Sequence, residues 1–208
     1  MGKLINGNII GQVGDVVFYL ANGINVARKA GRVTKTATEA QLMNRSKMKV
    51  ATELVKPMLE FTNIGFANVP RKTGSSAYNV AVAYHRMNAL TGVYPFIEID
   101  FARAMVAIGD LPPAVDPSVV LTAGGLDFSW TSQNELLYPR ELDRVMLLVY
   151  FPELNQVRYV LDGARRSEAA DFLPLPVALQ TARMEVYLSF VAQSGGQVAN
   201  SCYLGRIN

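Results

Sequence analysis

Histidine, cysteine and tryptophan each occur once in 208 residues, as His85, Cys202 and Trp130. A single thiol closes no internal disulfide and leaves the redox compartment undecided. One imidazole and one thiol also remove most zinc and thiol chemistries, which need several such ligands or a paired nucleophile and base. No phosphate loop, dinucleotide fingerprint or nucleophile elbow occurs. Neither His85 nor Cys202 has a partner suggested by the sequence, so an enzyme is not expected, and no catalytic residue, metal or cofactor is assigned. His85 reads as an ordinary helix-surface or partly packed histidine. No apolar run approaches the roughly 20 residues of a membrane helix. The opening Met1–Gly7 is too short and too polar for a secretion signal, and Asn6 stands where a myristoylation signal needs Ser or Thr. The expectation is therefore synthesis in the cytoplasm without a signal peptide. A virion or extracellular assembly stays open as the final location.

Hydrophobic residues make up 50% of the chain and charged residues 18%, which excludes disorder throughout. The net charge of +3 hides an asymmetry. Residues 1–72 hold eleven Lys/Arg against four Asp/Glu, a net +7, and residues 73–208 hold nine against thirteen, a net −4. A basic front and an acidic back suit nucleic-acid contact or head-to-tail attraction between copies. A solvated helix face with a basic loop explains the same charges.

Residues 4–30 read as β structure. Val16–Leu20 and Ile24–Arg28 flank Asn22-Gly23, a hairpin signal because a type I′ turn needs positive φ at both central residues. Gly7, Gly11 and Gly14 precede it, and close backbone approach or bulges are their expected use. This glycine-bearing arm carries Val17, Tyr19, Val26 and Arg28 as its candidate contact residues. Residues 31–37 read as a basic linker. Thr38 and Gln41 then match a capping box, opening a helix to about Phe61 that Pro57 should kink near 53–56. Met43, Val50, Leu54, Met58 and Phe61 share its apolar face, with a basic face of Arg45, Lys47, Lys49 and Lys56 largely elsewhere. Ser75 or Ser76 caps a second helix through Leu90, with Ala77, Val80, Ala81, Tyr84 and Met87 inward and Gly92 closing it. Phe96–Phe101 alternates as a strand, extended by 104–108, with Glu98 and Asp100 sharing the face opposite Ile97, Ile99 and Phe101. Those two carboxylates suit a cation or an acid/base pair, and a plain solvent face explains them as well.

The proline-bearing stretch 112–117 marks a boundary. Seven strands are expected after it, at 118–122, 126–131, 144–151, 156–161, 171–176, 183–192 and 197–205. Phe128, Trp130, Leu147, Val149, Tyr187 and Phe190 are the expected sandwich core, with Tyr187 a candidate tyrosine corner. Arg165-Arg166 lies in the loop after Asp162-Gly163, where a surface salt bridge is expected. The fold class is thus α+β: an N-terminal β-hairpin arm and two helices, followed by a C-terminal seven-stranded β-sandwich. The divisions are 1–30, 31–112 and 113–208.

Two resemblances follow. The last ~95 residues resemble a fibronectin type III or immunoglobulin-like sandwich in strand number and size, with Trp130 on the second strand. The whole chain is similar to an uncharacterised bacterial family of unknown function found in Bacteroidota-type genomes. The likeness stands on Gly14-x-x-Val17, Gly23-x-x-Val26-x-Arg28, Thr38-x-x-Gln41-x-x-x-Arg45, Tyr94-Pro95, Ile99-Asp100, Phe128-Ser129-Trp130 and Ser201-x-Tyr203-Leu204-Gly205. That resemblance implies no activity and no site residue.

The expectation from these features is a structural subunit of a multimeric assembly, a virion, tail-like or filament component, joined through its arm. Its partners would be further copies or other subunits of a larger assembly. The alternative is a binding or adhesion module using the sandwich loops, where Tyr138 and Phe151 are the available aromatics. A third reading is nucleic-acid binding by the basic N-terminal third, which lacks the interleaved aromatics that stack bases.

Overall fold

The computed structural model describes residues 2–31, 36–69, 75–132 and 140–208. It divides into two compact units, residues 1–41 and 42–208.

The first unit is a four-stranded antiparallel meander of β1 (Lys3–Ile5), β2 (Asn8–Val13), β3 (Val16–Ala21) and β4 (Ile24–Lys29), in that order. The expected single hairpin is thus three. Their two-residue turns, Asn6-Gly7, Gly14-Asp15 and Asn22-Gly23, repeat every eight residues. Asn6 and Gly7 have φ of 48° and 77°, and Asn22 and Gly23 have 51° and 80°. Positive φ at both positions is the type I′ requirement, and Gly14 at 56° supplies the positive first position of type II′. Gly7 and Gly14 therefore serve turns, not the bulges or close approaches expected of them.

Thr38 and Gln41 form the capping box: the Gln41 N–H donates to Thr38 Oγ1 at 3.3 Å and the Thr38 N–H to Gln41 Oε1 at 3.2 Å. Helix α1 (Glu39–Val55) follows and breaks into a 3-10 turn at Lys56–Met58 before α2 (Leu59–Gly65). Pro57 has no N–H to continue the ladder, which accounts for the break. Ser76 Oγ accepts the Asn79 N–H and starts α3 (Ala77–Asn88). This helix ends sooner than expected, and Leu90–Val93 forms β5, paired with β6 (Phe96–Ile99). Gly92 lies in that hairpin, where a Cβ would meet the Phe96 carbonyl. Met87, expected inside, is exposed, and Val82 and His85 take the buried positions. Residues 104–108 form no strand. The Val106 N–H donates to Ser201 Oγ, the Ile108 N–H to the Gly65 carbonyl, and the Ala107 carbonyl accepts the Ser201 N–H, so this segment is held between α2 and the C-terminal stretch.

The back half forms two antiparallel sheets. One has the order β10 (Gln156–Val160), β9 (Arg144–Phe151), β12 (Met184–Val191), β13 (Cys202–Ile207). The other has the order β11 (Ala170–Pro174), β8 (Gly125–Ser129), β7 (Ser118–Thr122). The last strand starts at Cys202, five residues later than expected. Before it, Val198 and Ala199 bridge to Val191 and Leu111.

Leu126, Phe128, Trp130, Leu147, Val149, Val186, Leu188 and Phe190 form one core drawn from both sheets. On the other face of the four-stranded sheet, Met146, Leu148, Tyr150 and Tyr187 pack with Leu54, Met58, Phe61, Val106 and Ala107. A sheet covered on both sides needs continuous apolar strands, which explains why Val145–Phe151 is buried without alternation. The same packing corrects two expectations. Residues 42–112 and 113–208 are one compact unit, because the helices share a core with the sheet. Tyr187 belongs to that helix-side core, while Phe128, Trp130, Leu147, Val149 and Phe190 line the core between the sheets.

Candidate assembly surface

None of the described residues 2–31 is buried. Strand register nevertheless places apolar side chains on both faces of this sheet. Val13 lies opposite Val16, and Phe18 opposite Ala27, with Leu20 on the same side. On the other side Val17 lies opposite Arg28, Tyr19 opposite Val26, and Ala21 opposite Ile24. The four side chains singled out in the sequence, Val17, Tyr19, Val26 and Arg28, therefore form one two-by-two patch across β3 and β4. Gly7, Gly14, Asn22 and Gly23 shape the turns, and Gly11, with φ 104°, lies inside β2. A two-faced apolar pattern ordinarily belongs to a sheet covered on both sides. Here Leu4, Val13 and Ile24 remain 74%, 53% and 68% exposed.

The basic residues of α1 and of the 3-10 turn after it do not share one face. Arg45, Lys49 and Lys56, spaced along a helical stripe, line a shallow groove with Met48, Thr52 and Glu53. Lys47 points elsewhere and is half-buried. Lys49 pairs with Glu53 at 3.8 Å, both exposed, so this contact is worth little in water. The groove contains no aromatic side chain.

Three polar sites, centred on the buried Arg166, Glu185 and His85, carry no local signal in the sequence. Arg166, expected at the surface, is 3% exposed. Its guanidinium lies 3.7 Å over the Phe190 ring, donates to the Pro112 and Pro113 carbonyls at 2.7 and 3.2 Å, and sits 3.5 Å from the buried Asp143. Its own carbonyl accepts the Trp130 indole N–H at 2.8 Å. The Pro112-Pro113 stretch is thus an anchored strap. Burial raises the Asp143 pKa, opposed by Arg166 and Arg140.

Glu185 is fully buried on β12 and accepts hydrogen bonds from Arg183 at 2.9 Å, Arg206 at 3.2 Å and the Tyr203 hydroxyl at 2.5 Å. Burial, with Glu185 beside it, pushes the Tyr203 pKa up to about 12. Tyr187 donates to the Phe101 carbonyl at 2.8 Å, 86 residues upstream, so it is no tyrosine corner.

His85, expected at the helix surface or partly packed, is 1% exposed and so fully packed. Its ring contacts Phe66 and Tyr84, and Nδ1 lies 2.7 Å from the Ala81 carbonyl, the position of a donor. Burial lowers its pKa, with the Ala81 and Met105 carbonyls opposing. The Cys202 thiol is half-buried with a raised pKa, the reverse of an activated thiolate. Glu98 is exposed, whereas Asp100 starts a turn and accepts the Arg103 N–H. Of the loop aromatics, Phe151 is buried at the end of β9, and Tyr138 lies outside the described residues. Among the described residues, no three His, Cys, Asp or Glu side chains are grouped to hold a metal, and no helix is long and apolar enough to cross a membrane.

A family model described as a family of unknown function (DUF6266) matches residues 8–205, and the chain belongs to that family. No curated protein and no solved structure matches it.

Proposed function

We propose that this DUF6266 member is a non-enzymatic structural subunit of a multimeric assembly, a virion, tail-like or filament component, joined through its N-terminal sheet. One observation carries the reading: the β1–β4 sheet has apolar side chains on both faces and not one buried residue. A small sheet gains its stability from a covered apolar face, and exposed strand edges favour addition to a neighbour. The basic front and acidic back orient copies head to tail, and a heterologous contact of that kind builds rings or filaments. The three-plus-four division of the back-half sheets, with a shared core and Trp130 directly after β8, supports an immunoglobulin or fibronectin III-like sandwich as the rigid body of the subunit.

Deleting residues 1–30 tests this. The truncated chain stays folded and loses association, measured as mass by light scattering beside the full chain at low and high salt. Salt weakens association of the full chain without abolishing it, because exposed charge pairs contribute little singly. A truncated chain that associates like the intact one removes the proposal.

A further inference from the structure

The outer face of the three-stranded sheet β11-β8-β7 has the complementary character. Leu121, Leu126 and Leu173 turn inward, so the next rung, Val120 opposite Asp127 opposite Phe172, faces outward. Val120 is 60% and Phe172 41% exposed. These three strands contain no Lys or Arg, and their only carboxylates are Asp127 and Asp171. Asp171 is already occupied, accepting the Ala164 N–H at 2.9 Å and the Phe172 N–H at 2.8 Å. Asp127 is exposed and makes no side-chain hydrogen bond or ion pair among the described residues. The strands of the arm carry Lys3, Arg28 and Lys29 and no carboxylate. Arg28 likewise has no ion pair among the described residues.

We infer that the outer face of β11-β8-β7 receives the arm of a second copy of this chain, with Arg28 of the arm meeting Asp127 of the face. This rests on the arm reading above and names its docking surface. Geometry and chemistry agree. On the arm, Arg28 lies opposite Val17 and about 7 Å along the strand from Val26 and the paired Tyr19. On the face, Asp127 stands between Val120 and Phe172 on adjacent strands about 4.8 Å apart. Each charge is thus set in an apolar surround, and stacking the sheets about 10 Å apart brings both surrounds together. The unlike charges select which face is used, since the apolar parts alone carry no direction.

The test is charge reversal with mixing. R28E and D127R each set like charges against one another in a contact that the stacked sheets cover, and each alone is expected to weaken association by about tenfold in dissociation constant. Mixed one to one, each variant's arm meets a complementary face on the other, and association returns to near the wild-type value. Recovery on mixing requires a contact between two chains, which an arm folded onto its own body cannot give. If R28E and D127R each associate like the wild type, or mixing fails to restore a loss, this inference is overturned. The arm reading then still stands if deletion of residues 1–30 abolishes association, so the two failures are separable. Both positions are exposed, and an unchanged circular dichroism spectrum confirms folding.

Discussion

The sheet β1–β4 and the sheet β10-β9-β12-β13 are both antiparallel, four-stranded and apolar on both faces. The second is covered on one side by β7, β8 and β11 and on the other by α1, α2 and the 104–107 segment, and Val145–Phe151 is buried throughout. The first buries nothing. The same pattern of side chains is thus buried in one sheet and exposed in the other. Where burial is complete, polar groups are buried too and are met by partners, as in the Asp143–Arg166 pair and the Glu185 carboxylate, which Arg206 reaches from the surface. Where it is not, charges such as Arg28 stay at the surface, and the proposed contact between copies takes its direction from them.

The largest expected difference between the two regions is in the cost of losing an aromatic. Trp130→Ala removes a buried ring in edge contact with Phe190 at 5.4 Å and its hydrogen bond to the Arg166 carbonyl. It should cost about 3–5 kcal/mol in urea unfolding of the full chain. Tyr19→Ala, on the open sheet, should change the stability of the dilute chain by less than about 0.5 kcal/mol. Similar losses at both positions break the comparison.

A smaller effect separates the regions by pH, since the only histidine is in the buried one. The folded His85 pKa is lowered, so the unfolded chain binds more protons below the ordinary histidine value. The stabilisation is complete above about pH 7 and falls as pH drops below about 6.5, at up to about 1.4 kcal/mol per unit. Urea titrations between pH 5.5 and 7 should show this slope in the wild type and lose it in H85Q. An equal slope in both contradicts the buried neutral assignment.

Local signals in the sequence carried much of the architecture, and long-range ones did not. Asn22-Gly23, the Thr38–Gln41 capping box, the Pro57 break and seven strand-forming runs after residue 117 are each written in a few adjacent residues. The eight-residue spacing of Asn6-Gly7, Gly14-Asp15 and Asn22-Gly23 is also present in the sequence, and it marks a meander, not the single hairpin expected from Asn22-Gly23. The direction of Tyr187 was not legible, because on a strand covered on both faces alternation no longer distinguishes the two sides. Nor was the burial of Arg166, whose partners Pro112 and Pro113 lie more than 50 residues away. The full burial of His85, expected at the helix surface or partly packed, was not legible either, because Phe66, the residue that ends α2, packs against it from 19 positions earlier in the chain. Of the candidate contact residues, register joins Val17, Tyr19, Val26 and Arg28, while the basic residues of α1 diverge.

The central claim is that the open sheet is completed by another copy, and amide hydrogen exchange measures this directly. Exchange is followed at two protein concentrations, one below and one above the onset of association. The backbone amides of β2, β3 and β4 are expected to exchange quickly in the dilute chain and to gain protection of tenfold or more, about 1.4 kcal/mol, on association. The amides of β9 and β12 should stay protected at both concentrations. Arm amides with the same protection at both concentrations, in a chain shown by its mass to have associated, contradict the claim.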